Sequence, residues 1–142
     1  MEARSDLESW LALTLERDPG MSETEWATQV DAAPPGVDRA LAALLQAERA
    51  ADALSAVDAL GAYWHWKAAF ADGAAWSRRV LDAASDGPPE QRARVLTSLA
   101  VMQFRCGDTE ACRASSEEAL ALAKRVGDPV MTTSALSSLA RS

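Results

Sequence analysis

The chain has 142 residues and a formal net charge of −7, with 49% apolar and 25% charged residues; this is enough to build one buried core, in the composition of a globular protein. The acidic balance disfavours nucleic acid or an anionic membrane as the direct partner, and no apolar run approaches the roughly 20 residues of a membrane span. Ala is abundant, Ile absent and Val sparse, which suits close-packed helices because Ala has the best helix propensity and lets backbones approach.

Charge is unevenly spread. Residues 1–71 carry 12 acidic and 5 basic groups, whereas residues 72–142 carry 9 of each. An anion-seeking surface therefore belongs to the second half or to the seam. The N-terminus, MEARSDLESW, lacks the charged-then-apolar plan of a signal peptide, so a cytoplasmic protein is expected. Cys106 and Cys112 straddle a Gly-Asp turn and make no CxxC. They read as small reduced core residues, and two Cys with a single His are not a zinc pattern. No cofactor and no metal are expected.

Ser5, with Glu8 three residues on, predicts a capping box for a first helix. Leu7, Trp10, Leu11 and Leu15 recur at helical spacing to about Arg17, and Asp18-Pro19-Gly20 stops the helix. Ser22 and Glu25 repeat the cap for a short second helix with Trp26, Val30 and Ala33 on one face, ended by Pro34-Pro35-Gly36. A third helix is expected from Val37 to Ala50, striped by Val37, Leu41, Leu44, Leu45 and Glu48. The fourth, to Phe70, is apolar nearly all round, which marks a helix buried between neighbours. Leu54, Val57, Leu60, Gly61 and Trp64 make one face, Tyr63, Trp66 and Phe70 a second, and Asp58 and His65 a polar strip.

The fifth helix, about Asp72 to Ala84, carries Trp76, Val80 and Leu81. Asp86-Gly87-Pro88-Pro89 breaks the chain, and Pro is tolerated in the first turn that follows. A sixth helix, Pro89 to Arg105, shows Val95, Leu96, Leu99, Met102 and Phe104. After Gly107-Asp108 a seventh, Thr109 to Val126, places Ala111, Cys112, Ala119, Leu120 and Leu122 inward. Gly127-Asp128-Pro129 turns into an eighth, begun near Val130, with Met131, Leu136 and Leu139.

A repeat joins these elements. Leu60-Gly61, Leu99-Ala100 and Leu139-Ala140 coincide, at spacings of 39 and 40 residues, and a period of that size means helical hairpins stacked in sequence. Each Leu fills the core, and the small residue after it lets two helices cross. Gly73 likewise matches Cys112, and Val80-Leu81 matches Ala119-Leu120. The fold expected is all-α, with about eight helices in stacked antiparallel hairpins. It forms one helical-repeat domain over 1–142: divergent helices over 1–50, repeats over 51–86 and 88–127, and an incomplete one over 128–142.

The order Leu-Ala, Gly-Asp, a small residue, Glu-Ala-Leu-Ala-Leu-Ala and Gly-Asp-Pro resembles the tetratricopeptide repeat in its long form. More narrowly, the chain resembles the helical-repeat region of large LuxR/SARP-type bacterial transcriptional regulators and related signalling ATPases. The residues that carry this are Trp26, Ala40-Leu41, Leu60-Gly61, Trp64, Gly73, Trp76, Leu81, Arg92-Ala93, Leu99-Ala100, Gly107-Asp108, Glu118-Ala119-Leu120 and Gly127-Asp128. The likeness covers 51–142 well and 1–50 loosely. The segment before the third helix, acidic and ending in Asn in that family, is here Ala33-Pro34-Pro35-Gly36. The resemblance implies a right-handed superhelix whose first helices line a concave groove. By that pattern the lining is Ser55, Asp58, Ala62, His65 and Trp66, then Arg94, Thr97, Val101, Phe104 and Arg105, then Ser134, Ser137 and Arg141. With neither a phosphate-binding loop nor a basic recognition helix present, the resemblance implies either one module of a longer regulator or a free-standing relative, and the unpaired eighth helix favours the module.

Spacing supports the groove separately. Arg94, Thr97, Val101, Phe104 and Arg105 fall on one helical face too mixed to be core. Aromatic side chains beside Arg suit an extended acidic-apolar peptide or a small carboxylate, because Arg grips a carboxylate with two hydrogen bonds. The competing reading packs Trp66 under the third helix and pairs the Arg residues with Asp58 or Glu90. His65 and Asp58, two helical turns apart, are a pair of the type used in acid–base catalysis, but no Ser or Cys stands at a spacing that completes a triad. The function expected is a non-catalytic protein-docking scaffold of a bacterial transcriptional or signalling regulator. The alternative is a sensor of a small carboxylate metabolite in the same groove. The eighth helix exposes an apolar face with no hairpin partner, so self-association through it is expected, most simply as a dimer.

Overall fold

A computed structural model describes residues 2–141, with side chains described from Ser5 onward. Among the described residues the chain is all-helical, with eight helices: α1 (Glu2–Leu15), α2 (Glu23–Ala32), α3 (Val37–Gln46), α4 (Ala50–Lys67), α5 (Phe70–Ala83), α6 (Pro89–Arg105), α7 (Thr109–Val126) and α8 (Pro129–Arg141). The class and number of elements are those the periodicity predicts. No helix among the described residues is long and apolar enough to cross a membrane.

Several boundaries differ from the sequence reading, each for a local reason. Ser5 lies inside α1 and does not cap it. Ser22 does cap α2, accepting the Glu25 backbone N–H at 3.1 Å. The third helix stops at Gln46, four residues early: Arg49 N–H bonds back to the Leu44 carbonyl at 2.8 Å while Glu48 takes a left-handed φ of 58°. Glu48 is therefore not on the α3 stripe. Phe70 does not finish α4 but opens α5. The break between them is Ala68, left-handed at φ 57°, from which Ala69 N–H reaches back to the Trp64 carbonyl at 2.9 Å. That is a Gly-type helix stop made without Gly, which is why it left no mark in the sequence. Cys106, expected inside, is exposed at the end of α6, while Cys112 is buried in α7.

The core runs through all of the helices. Trp10 of α1 and Trp64 of α4 are among its largest fully buried side chains, joined by Leu41 and Leu44 of α3, Leu54 and Leu60 of α4, Leu81 of α5, and Leu96, Leu99 and Met102 of α6. On α1 the expected stripe holds at Leu7, Trp10 and Leu11, but Leu15 is exposed and Thr14 turns inward instead. Thr14 is buried without cost because its hydroxyl donates to the Trp10 carbonyl at 2.8 Å. The N-terminal helices α1, α2 and α3 each pack on α4. Beyond it, α4 meets α5 and α6, α6 meets α7 and α8, and α7 meets α8. So α4, α6 and α8 adjoin in order along one side.

Gly73 explains the close approach of α5. A Cβ at this position would meet Met102 Sδ and would come within 2.8 Å of the Trp64 ring. Arg92 joins the hairpins at the next step. Its Nη1 donates to the carbonyls of Leu81 and Ala84, both at 2.7 Å, so a side chain on α6 satisfies the C-terminal carbonyls of α5. In the repeat register, Leu60 and Leu99 are both fully buried, and Leu139 is half-buried. The position three residues earlier in each copy is buried at Val57 and Leu96 but 49% exposed at Leu136. α8 presents Ala135 and Ser138 inward, while Met131 and Leu139 are half-buried and Leu136 is exposed.

Candidate functional site

Two cavities border α4 from different sides. The larger, about 590 Å³, lies where α4, α6 and α8 adjoin, and its lining includes His65, Arg94, Thr97, Ser98, Val101, Asp128, Val130, Met131 and Ser134. Five of the expected groove residues, His65, Arg94, Thr97, Val101 and Ser134, come together here.

The remaining expected residues stand elsewhere. Asp58 is not in the lining but holds Arg94: its Oδ2 accepts from Arg94 Nε at 3.2 Å and Nη2 at 3.0 Å. Trp66 is 40% exposed, its ring 6.1 Å from that of Tyr63. Phe104 is also 40% exposed at the end of α6. The Arg105 guanidinium sits 5.7 Å from the Phe70 ring centroid, and Phe70 meets His65 edge-on at 5.3 Å. Ser137 and Arg141 are exposed on α8. Asp58 and His65 do not pair: Asp58 is committed to Arg94, and His65 Nδ1 lies 2.9 Å from the Gly61 carbonyl oxygen. A carbonyl only accepts, so in the neutral ring this contact places the proton on Nδ1 and leaves Nε2 as the acceptor.

Sequence reasoning missed Ser98, Asp128, Val130 and Met131. For Asp128 a signal was present. Its carboxylate accepts from the Val130 and Met131 backbone N–H groups at 2.9 and 3.2 Å, the N-cap role expected of Asp before a helix-opening Pro. That cap sets the start of α8 and so the placement of Val130 and Met131 at the groove. Val130 is 73% exposed. The groove thus has an apolar border, and the Arg94 charge at its edge is paired with Asp58 through Nε and Nη2, which leaves Nη1 as its free edge.

The smaller cavity, about 320 Å³, lies among α2, α3, α4 and α5, lined by Asp31, Pro35, Gly36, Val37, Asp38, Arg39, Tyr63, Trp64, Lys67, Ala69 and Asp72. Its fixed part is a charge network. Asp31 Oδ1 accepts from the Tyr63 hydroxyl at 2.6 Å and from Lys67 Nζ at 2.7 Å. The hydrogen bond from Lys67, then that from Tyr63, holds the Asp31 carboxyl below its ordinary value. Burial, and after it the bond to Asp31, pushes the Tyr63 hydroxyl up, and the bond to Asp31 raises Lys67. Asp38 accepts the Trp76 indole N–H at 2.8 Å. No sequence pattern marked this cavity, because its residues come from four helices at no common spacing. Among the described residues, no three His, Cys, Asp or Glu side chains are grouped to hold a metal ion.

Comparison with protein-family profiles, with curated proteins and with solved structures returned no match.

Proposed function

We propose that the chain is a non-catalytic docking scaffold built from tetratricopeptide-type hairpins, acting as the partner-docking or sensor part of a bacterial transcriptional or signalling regulator in the cytoplasm. The observation that supports this most is the groove bordered by α4, α6 and α8, into which three helices of one register deliver His65, Arg94, Thr97, Val101, Met131 and Ser134. An extended peptide seats an apolar residue against Val101, Val130 and Met131. An acidic residue of the same peptide meets the free edge of Arg94 or the Arg105 guanidinium over Phe70. A volume of about 590 Å³ also falls in the range of small-molecule sites, roughly 300–1,000 Å³. That favours, as a second reading, a small carboxylate metabolite in the same place.

The test is a binding titration by fluorescence polarisation, using labelled extended peptides that carry one apolar anchor and flanking Asp or Glu. The Arg94→Glu/Arg105→Glu double variant, checked for helicity by circular dichroism, is expected to weaken binding by about tenfold or more, since each reversed charge turns an attraction into a repulsion. Val101→Glu acts on the apolar wall and is expected to do the same. Peptide binding that survives both changes overturns the groove. Competition by acetate or a dicarboxylate at millimolar concentration selects the second reading.

A further inference from the structure

The 320 Å³ cavity shares no lining residue with the α4–α6–α8 groove, and its charges divide into partnered and unpartnered ones. Asp31 and Lys67 neutralise each other at 2.7 Å, and Asp38 uses one oxygen on the Trp76 N–H. The Arg39 guanidinium and the Asp72 carboxylate border the same space, and neither side chain has a hydrogen bond or ion pair among the described residues. They stand on different helices, α3 and α5, so they are not two charges of one solvated helix face. Val37 and Trp64, both buried, supply apolar wall.

This distribution selects a ligand. One carrying only an anion meets Arg39 but also Asp38 and Asp72. One carrying only a cation leaves Arg39 unanswered. A molecule with both charges a few bonds apart, and an apolar remainder, satisfies the two signs together. The volume is at the low end of the range for small-molecule sites, roughly 300–1,000 Å³, and suits a single small zwitterion, not a nucleotide or an extended peptide. We propose that the cavity between α2, α3, α4 and α5 binds a free α-amino acid, with its ammonium on Asp72 and Asp38, its carboxylate on Arg39 and its side chain against Val37 and Trp64. Bound there, the ligand bridges α3 to α5 and ties the N-terminal helices to the first hairpin.

Isothermal titration of the full chain with the standard amino acids, one at a time, tests this. At least one is expected to bind saturably and to raise the melting temperature. Its N-acetyl and its amide derivatives, each lacking one charge, are expected to bind about tenfold more weakly or worse, as are Asp72→Asn and Arg39→Gln with the unblocked ligand. Both substitutions are at exposed positions, and unchanged melting without ligand shows that the fold is kept. No binding at millimolar concentration, equal binding of the blocked derivatives, or binding that both variants retain overturns the site. The Arg94→Glu/Arg105→Glu variant separates this site from the groove. Amino-acid binding is expected to be unaltered there, and its loss would place the ligand in the groove and overturn the proposal.

Discussion

At the scale of single residues, the tightest constraint is the absence of a side chain at Gly73. The buried Trp64 ring lies 2.8 Å from where a Cβ would stand, with Met102 Sδ also in the way. Met can swing aside, because it is unbranched and flexible, but an indole held on all sides cannot. Gly73→Ala gains about 1 kcal/mol of helix propensity and loses about 2–3 kcal/mol to overpacking, the upper part of the usual range because a fixed ring stands in the way. The expected outcome is a net loss of about 1–2 kcal/mol, read as a fall of roughly 3–6 °C in the melting temperature of a domain this size. An unchanged or raised melting temperature would show that α5 can slide away from α4. The repeat had already singled Gly73 out through its match with Cys112. What it did not show was that the obstacle is an aromatic ring.

Between elements, the Asp31–Tyr63–Lys67 network pins α2 to α4 and carries a pH dependence. Asp31 is held below its ordinary 3.8 by its bonds to Lys67 and Tyr63. Its contribution is therefore fully present above that value and is lost as pH falls through the lowered folded value. Lys67 and Tyr63 are both raised, from 10.5 and 10.0. Their contributions are present below those values and are lost as pH rises beyond them. Stability measured by urea unfolding is expected to fall at both extremes. In Asp31→Asn the acid-side fall is expected to be shallower, and Lys67, without its carboxylate, is expected to lose its share of the alkaline fall. Parallel pH profiles for the two proteins would mean that the network does not couple α2 to α4. Nothing in the sequence announced it: Asp31 and Lys67 are 36 residues apart, and each alone reads as a solvated surface charge.

For the molecule as a whole, α8 carries an outer face unlike that of α7. Exposed helices here mix charge into their outer faces, as α7 does with Glu110, Arg113, Glu117 and Lys124. α8 has no charged residue from Pro129 to Ala140, yet Val130 is 73% and Leu136 49% exposed. At the register position of Leu136 the two earlier copies bury Val57 and Leu96. Two such uncharged faces can meet without like-charge repulsion, and Ser137 and Ala140 permit close approach. Concentration-dependent dimerisation is expected in sedimentation velocity, and Leu136→Lys is expected to restore the monomer. One helix face is a small interface, so weak association is the expected outcome. A wild-type chain that stays monomeric at millimolar concentration would refute it.

Most of the secondary structure was legible in the sequence because it follows from local rules: Ala-rich periodicity, Gly-Asp and Pro-rich turns, and a recurring Leu-small pair are all written within a few residues, whereas the left-handed stops at Glu48 and Ala68 use residues that do not announce them. The face of α6 that carries Arg94, Thr97 and Val101 was legible for the same reason, since helical spacing alone puts them on one side. What tertiary packing decided is which of those side chains remain available. Asp58 on α4 holds Arg94, Phe70 stacks under Arg105, and the Asp128 cap carries Val130 and Met131 to the groove. The smaller cavity belongs wholly to the second class. Its charges come from two segments, Asp31 to Arg39 and Lys67 to Asp72, and the packing of α3 on α4 and α5 draws them around one space.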